Sequence, residues 1–221
     1  MSAINFTKIK EMYRDSFDKH GDSTHALLTP KGRQEERFGT VIEYLKAGDR
    51  VLDFGCGLGY LYDYLIRKGI SDINYHGVDM SEEFINTCNK NFKSDNCRFD
   101  LVEPKSQLKE TYDVIFCSGV FNINYSTDPD THRIYVYQKL KNLFNISKRV
   151  LICDFLSPNV DFRQTDSYHV DLPSLMEFCQ KNLSRRWQLR HDILPYEVTL
   201  IAYADDHINR SDNTYSNDCH G

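Results

Sequence analysis

The stretch RVLDFGCGLGYLYDYL, residues 50–65, is the part of the sequence that indicates the fold most clearly. It begins with apolar residues typical of a strand, continues into Gly55, Gly57 and Gly59, and ends in a pattern typical of an amphipathic helix. Asp53 lies at the predicted carboxyl end of the strand, where the glycines let a ligand come close to the backbone. The stretch therefore predicts a strand, a glycine loop and a helix that hold a nucleotide-like cofactor.

The spacing of the glycines distinguishes between cofactors. A nicotinamide dinucleotide site has the fingerprint G-x-G-x-x-G, with its third glycine three positions after the second. Residues 55–59 read G-x-G-x-G instead, and Tyr60 stands at the position of that third glycine. The pattern disfavours a dinucleotide, and a nicotinamide oxidoreductase remains an alternative that titration with reduced nicotinamide would expose.

Short apolar segments alternate with helical patterns along the chain. The predicted strands are VLDF, NYHGVD, CRFDL, YDVIFCSG, RVLICDF, WQLRHD and EVTLIAY, and the predicted helices span about 5–17, 34–45, 59–67, 82–91, 132–145 and 172–181. This alternation predicts a three-layer α/β sandwich, Rossmann-like, with a mostly parallel seven-stranded sheet. Only ILPY separates the last two strands, which predicts an antiparallel C-terminal hairpin.

The length of 221 residues suits one α/β domain. We predict a single domain over residues 1–204, with N-terminal lid helices over 1–47 and a cofactor-binding core over 48–204. Residues 205–221 are polar and have no periodicity, which predicts a flexible tail.

Composition and charge limit the classes of partner. The formal net charge of −5 provides no general basic field for nucleic acid or an anionic membrane, and no run approaches the ~20 apolar residues of a membrane span. The first residues lack the apolar core of a signal peptide, and the seven cysteines show no metal-ligand spacing. We therefore expect a cytoplasmic monomer or homodimer that binds no metal, nucleic acid or membrane.

The segment VLDFGCGLG, residues 51–59, resembles motif I of the class I S-adenosylmethionine-dependent methyltransferases. The next strand agrees, because YHGVDMSEEFI places Asp79 where a carboxylate can accept hydrogen bonds from both ribose hydroxyls. The resemblance implies that Met80 covers the adenine and that Asp100 accepts a hydrogen bond from its amino group, with Glu103 as the alternative.

The resemblance extends on both sides of these strands. YDVIFCSGVFN, residues 112–122, is similar to the family's fourth strand, whose end would lie beneath the sulfonium. The segment before motif I resembles the leader of small-molecule methyltransferases, which implies that the Arg37 guanidinium pairs with the methionine carboxylate. Otherwise Arg37 is a solvated charge on an amphipathic helix. The residues expected at the cofactor are Gln34, Arg37, Asp53, Gly55, Cys56, Gly57, Gly59, Asp79, Met80, Asp100 and Ser118.

The acceptor is expected at the carboxyl edge of the sheet, where ligands bind in doubly wound folds. His169 and Asp154 are candidate catalytic groups, although a lone histidine is more often structural and Asp154 could cap a loop. The residues expected to bind the acceptor are Tyr13, Phe121, Asn122 and Tyr168.

The sequence thus predicts an enzyme that transfers the methyl group of S-adenosylmethionine to a nitrogen or oxygen of a small molecule by in-line displacement. An RNA or protein methyltransferase of the same fold is one alternative, although residues 118–122 read SGVFN and not the Asn/Asp-Pro-Pro-aromatic signature of base-amino methyltransferases. A non-catalytic module that binds S-adenosylmethionine is another, and conversion of S-adenosylmethionine to S-adenosylhomocysteine distinguishes it from an enzyme.

Overall fold

The structure is a computed structural model that describes residues 4–28, 33–124, 126 and 128–204. The predicted tail over 205–221 lies outside the described residues. The α-helices are α1 (Phe6–His20), α2 (Gln34–Ile42), α3 (Tyr60–Arg67), α4 (Glu82–Asn91), α5 (Pro129–Asn145) and α6 (Leu172–Phe178). A 3₁₀ turn spans Thr24–Leu27, and a π-helical turn over Cys179–Leu183 continues α6 beyond its predicted end.

Seven strands form one sheet. They are β1 (Asp49–Phe54), β2 (Ile73–Asp79), β3 (Cys97–Leu101), β4 (Tyr112–Cys117), β5 (Ser147–Leu156), β6 (Trp187–Arg190) and β7 (Glu197–Tyr203). The strand order is β3-β2-β1-β4-β5-β7-β6, in which β1 to β5 pair in parallel while β7 is antiparallel to both β5 and β6. The predicted sheet and its antiparallel hairpin are confirmed.

The core lies on both faces of the sheet, because successive residues of a strand point to opposite sides. In β1, Leu52 belongs to one buried cluster and Val51 to the other, and in β5 Leu151 and Val150 divide in the same way. Both faces are thus buried beneath helices, which explains why these strands are almost continuously apolar.

The N-terminal elements cover one end of the sheet. A third cluster joins Ala26 of the 3₁₀ turn to Leu58 and to Phe84 of α4, and Tyr13 of α1 packs against it. Ion pairs of 2.7 Å from Lys10 to Glu103 and of 2.9 Å from Arg14 to Glu83 also tie α1 to the rest of the chain. Within the described part of the chain, no helix has the length and apolar character needed to cross a membrane.

Candidate active site

A cavity opens at the carboxyl ends of β1, β2 and β4 and holds about 1060 Å³ of empty space, including the part open to solvent. The chain passes from β1 outward to β2 on one side and to β4 on the other, and such a switch of direction leaves a crevice for ligands. The predicted site residues on the cavity wall are Tyr13, Gln34, Arg37, Asp53, Gly55, Cys56, Gly57, Asp79, Met80 and Ser118.

The glycine loop forms the part of the wall that follows β1. Gly55 and Gly57 have φ angles of +79° and +54°, in the left-handed region that residues with a side chain rarely adopt. A Cβ on Gly55 would lie 2.2 Å from Val120 Cγ2, and one on Gly57 would lie 2.8 Å from Leu27 Cδ2. Glycine is therefore required here both by the backbone conformation and by the close approach of neighbouring groups.

Asp79 ends β2 and turns its carboxylate toward this loop. Its oxygens accept hydrogen bonds of 2.9 Å from the backbone N–H groups of Gly57 and Ser81. Burial raises the pKa of Asp79, and the backbone donors oppose that rise because they stabilise the ionised form. The wall thus presents a fixed carboxylate that can accept hydrogen bonds from a ligand's hydroxyl groups.

Asp53 lies deeper in the same wall and is almost completely buried. Burial raises the pKa of its carboxyl to about 7, while a hydrogen bond donated by the Tyr75 hydroxyl lowers it and the nearby Asp79 charge raises it. Asp53 therefore changes charge near neutral pH, so that a ligand's positive charge would influence its protonation.

Arg37 brings a positive charge to the wall from α2. Its Nε donates a 2.6 Å hydrogen bond to Oε2 of Glu197, and its Nη2 donates to Oε1 of the same residue. Its side chain is only 7% exposed. Arg37 is therefore not the solvated surface charge that the sequence left as an alternative.

The comparison with known proteins decides the family. Residues 45–213 match the family described as a methyltransferase domain. The chain belongs to the class I S-adenosylmethionine-dependent methyltransferases. The matched region includes the glycine loop, Asp79 and every strand of the sheet.

Two solved methyltransferases and one sequence relative show the extent of the similarity. The magnesium protoporphyrin IX methyltransferase ChlM of Synechocystis PCC 6803, with bound S-adenosylhomocysteine, superposes with a TM-score of 0.63 at 18% identity, over 90% of this chain and 99% of that one. DhpI in complex with S-adenosylhomocysteine superposes with a TM-score of 0.67 at 13% identity, over 91% of this chain and 98% of that one. Rv1506c of Mycobacterium tuberculosis, which carries a provisional methyltransferase name, is 26% identical over 152 residues, or 68% of this chain and 90% of that protein.

The wall of this methyltransferase fits S-adenosylmethionine. The glycine loop presents bare backbone, the Asp79 carboxylate can accept from ribose hydroxyls, and Met80 offers an apolar surface for a base. The guanidinium of Arg37 supplies the donors that a carboxylate requires. The set of groups thus matches the ribose, the base and the amino-acid end of the cofactor.

Two residues expected at the cofactor lie elsewhere in the methyltransferase. The Asp100 side chain is 58% exposed and contacts His76 Nε2 at 3.0 Å, because alternate residues of β3 face opposite sides of the sheet. Glu103, the alternative, lies on the cavity wall. Gly59 also lies outside the wall: its φ is +76°, and a Cβ there would lie 2.7 Å from Phe92 Cε2, so its role is in the turn and in packing.

The predicted acceptor residues that follow β4, Phe121 and Asn122, do not lie on the cavity wall. Phe121 is fully buried, and its ring stacks on that of Phe155 with centroids 6.0 Å apart. Asn122 Oδ1 accepts a 3.1 Å hydrogen bond from the backbone of Leu156, and the Asn122 carbonyl accepts one of 2.9 Å from the backbone of Tyr168. These contacts join the loop after β4 to β5 and to the loop that follows β5.

The remaining acceptor-side residues also make structural contacts. Tyr168 is buried with its ring 4.3 Å from that of His132, and Nδ1 of His169 donates a 2.7 Å hydrogen bond to the Ser157 carbonyl. Asp154 is buried outside the wall and accepts a 2.7 Å hydrogen bond from the Gly119 backbone. These contacts fix loops beside the cavity, and the interpretation of His169 and Asp154 as catalytic groups stays a prediction.

One end of the cavity is aromatic, and its residues were not predicted from the sequence. Phe6 from α1 and Tyr135 from α5 lie on the wall, and their ring centroids are 5.3 Å apart in an edge-on arrangement. Phe6 precedes Tyr13 by seven residues, a spacing that places both on one face of a helix and that could have identified it. The sequence carries no comparable signal for Tyr135.

Proposed function

We propose that this methyltransferase transfers a methyl group to a nitrogen or oxygen atom of a small molecule that enters the cavity. The main support for this proposal is that α1 and the 3₁₀ turn cover the cavity. Phe6 and Tyr13 of α1 and Leu27 of the 3₁₀ turn all lie on the wall, and Tyr13 packs edge-on against Phe84 with ring centroids 5.8 Å apart. A covered cavity admits a small acceptor more readily than the surface of a folded macromolecule.

We assign the cofactor end of the cavity to the glycine loop, Asp79, Met80 and Arg37. When bound, S-adenosylmethionine supplies a methyl group already activated by its sulfonium. The residues of this chain then have to orient the acceptor and exclude water, and orientation can contribute about 7 to 11 kcal/mol to lowering a barrier. A general base is needed only where the acceptor must lose a proton.

We assign the acceptor end to the aromatic pair Phe6 and Tyr135, together with Val120 and Ser118, which follow β4. This assignment moves Ser118 from the cofactor, where the sequence predicted it, to the acceptor. These residues share the wall with the cofactor groups, so an acceptor held by them would lie beside the cofactor. Aromatic and apolar walls favour a planar or largely apolar acceptor, and the Ser118 hydroxyl offers a hydrogen bond.

Charge supports the same conclusion. The net charge of −5 gives no general attraction to the phosphates of RNA, and the described cavity wall carries more carboxylates than cations. Both features favour a small acceptor over a polyanion.

Mass spectrometry of reaction mixtures tests the proposal. The protein is incubated with isotopically labelled S-adenosylmethionine and, separately, with a metabolite pool, total RNA and a protein extract. We expect the labelled methyl group on a component of the metabolite pool. Label confined to RNA or to protein would contradict the proposal and would identify the class of macromolecule instead.

A further inference from the structure

Arg37 is the only positively charged side chain on the cavity wall among the described residues. S-adenosylmethionine carries one carboxylate, and a carboxylate removed from water needs a cation or several N–H donors to replace its hydration. The chemistry of the wall therefore favours Arg37 as the group that receives the carboxylate of the methyl donor.

Glu197, the first residue of β7, determines where the Arg37 guanidinium lies. It accepts two hydrogen bonds from it, at Nε and Nη2, across a separation of 160 residues in the chain. The side chains of Arg37 and Glu197 are 7% and 12% exposed, so little water competes for these bonds. A guanidinium has five N–H donors, and two bonds to Glu197 leave donors for a ligand.

Burial and the charge of Asp154 act on both members of this pair. Burial lowers the pKa of Arg37, but the charge of Asp154 and the hydrogen bond and charge of Glu197 together raise it. Burial raises the pKa of Glu197 and the Asp154 charge adds to that rise, while the hydrogen bond and the charge of Arg37 oppose it. Without Glu197, the long Arg37 side chain would be free to turn toward Asp154, its other carboxylate neighbour.

We propose that Glu197 is a positioning residue that holds the guanidinium of Arg37 against the cavity, where it receives the carboxylate of the methyl donor. Glu197 does not itself lie on the cavity wall. The proposal concerns the cofactor end alone and does not depend on which acceptor the enzyme uses.

Two ligands that differ at the amino-acid end test this role by calorimetry without any turnover. S-adenosylhomocysteine contains the carboxylate, whereas 5′-methylthioadenosine has the same nucleoside and sulfur but no amino-acid group. We expect Glu197→Ala to weaken S-adenosylhomocysteine binding at least tenfold and to leave the affinity for 5′-methylthioadenosine within twofold. In an Arg37→Ala background, Glu197→Ala should add little further loss, because the two residues act as one unit.

Asp49→Ala is the matched control. Asp49 begins β1 and accepts a 3.0 Å hydrogen bond from Nη1 of Arg149 of β5 and another from its Nη2, so it forms a carboxylate–arginine pair of comparable burial away from the cavity. This control should leave both affinities within twofold. If Glu197→Ala does not fold, Glu197→Gln, which keeps the shape of the side chain, should still weaken S-adenosylhomocysteine binding at least fivefold while sparing 5′-methylthioadenosine.

Three results would overturn the proposal. A parallel loss of both ligands would show that Glu197 only supports the fold, and an unchanged affinity for S-adenosylhomocysteine would show that Arg37 needs no such support. A full further loss from Glu197→Ala in the Arg37→Ala background would show that Glu197 acts independently of Arg37. Because the experiment measures ligand binding, its result can be interpreted even if the enzyme methylates no small molecule.

Discussion

The carboxylate of Asp79 accepts a 2.9 Å hydrogen bond from the backbone N–H of Gly57, which joins the end of β2 to the glycine loop that follows β1. A second bond of the same length, from the Ser81 backbone, fixes the other carboxylate oxygen. One side chain thus shapes the loop and also presents to the cavity a carboxylate that we propose accepts hydrogen bonds from the ribose. Removing it should affect both the loop and the ligand.

We expect Asp79→Ala to weaken S-adenosylmethionine binding by about 1 to 3 kcal/mol, the range for losing hydrogen bonds to a charged group. Asp100→Ala is the control, because the Asp100 side chain faces His76 and not the cavity. Calorimetry should show the loss for Asp79→Ala and an affinity within twofold of the parent for Asp100→Ala. The reverse order of effects would restore the original assignment of Asp100.

Gly57→Val should abolish cofactor binding while the α/β circular dichroism spectrum is retained. The new side chain would occupy the loop and displace Leu27, and the positive φ adds strain of about 1 to 3 kcal/mol. Gly69→Val is matched in strain, because Gly69 has a φ of +78° and no atom within 4 Å of an added Cβ. Retained binding by folded Gly57→Val would show that the loop does not contact the ligand.

The raised pKa of Asp53, about 7, predicts a pH dependence of binding. Below that pH the carboxyl is mostly neutral, and above it the carboxylate attracts the positive sulfonium, so affinity for S-adenosylmethionine should rise by up to about tenfold between pH 6 and pH 8. Calorimetry at pH 6 and pH 8, on the parent and on Asp53→Asn, measures how much of the rise in affinity is due to the Asp53 carboxyl. An equal rise in Asp53→Asn would assign the effect to another titrating group.

The same pKa predicts how stability depends on pH without ligand. A carboxyl whose folded pKa lies above its unfolded value favours the folded state at low pH, and that contribution is lost as the pH rises through about 7. Chemical denaturation of the parent should therefore show this decline relative to Asp53→Asn. A parent curve parallel to that of Asp53→Asn between pH 4 and pH 8 would contradict the raised pKa.

Phe121→Ala should mainly lower the stability of the protein, whereas Phe6→Ala should mainly lower its rate of methyl transfer. Phe121 is fully buried against Phe155, so its truncation should lower the free energy of unfolding by about 3 to 5 kcal/mol. Phe6 is half-buried on the cavity wall, and its truncation should reduce methyl transfer at a smaller cost in stability. Chemical denaturation and methyl-transfer assays of both variants test this difference. Reduced turnover in Phe121→Ala without loss of stability would return Phe121 to the acceptor site.

Local patterns predicted the fold well. The helix predicted over residues 82–91 matches α4, and the short ILPY link correctly indicated the hairpin of β6 and β7. Each rests on information within one segment: apolar periodicity for the helix, and a link too short for a parallel crossover for the hairpin. The glycine loop and Asp79 were accessible for the same reason.

Most of the acceptor side that we propose was not accessible from the sequence, with Phe6 as the exception. Topology placed Phe121 and His169 at the correct edge of the sheet, but that edge contains both cavity wall and core, and only packing decides between them. The pairing of Arg37 with Glu197 spans 160 residues, and the contact of Phe6 with Tyr135 joins the first helix to the fifth. Such long-range contacts leave no periodic signal in one sequence.

The fate of the methyl group distinguishes an enzyme that acts on a small molecule from one that acts on a macromolecule and from a module that only binds the cofactor. The protein is loaded with S-adenosylmethionine labelled at the methyl carbon, mixed with a cell extract divided by ultrafiltration into small molecules and macromolecules, and the label is followed in each fraction. We predict that the label passes to the small-molecule fraction, with an equal yield of S-adenosylhomocysteine, and that Gly57→Val prevents the transfer. Label that passes only to macromolecules, or that stays on S-adenosylmethionine in every fraction, would contradict the account.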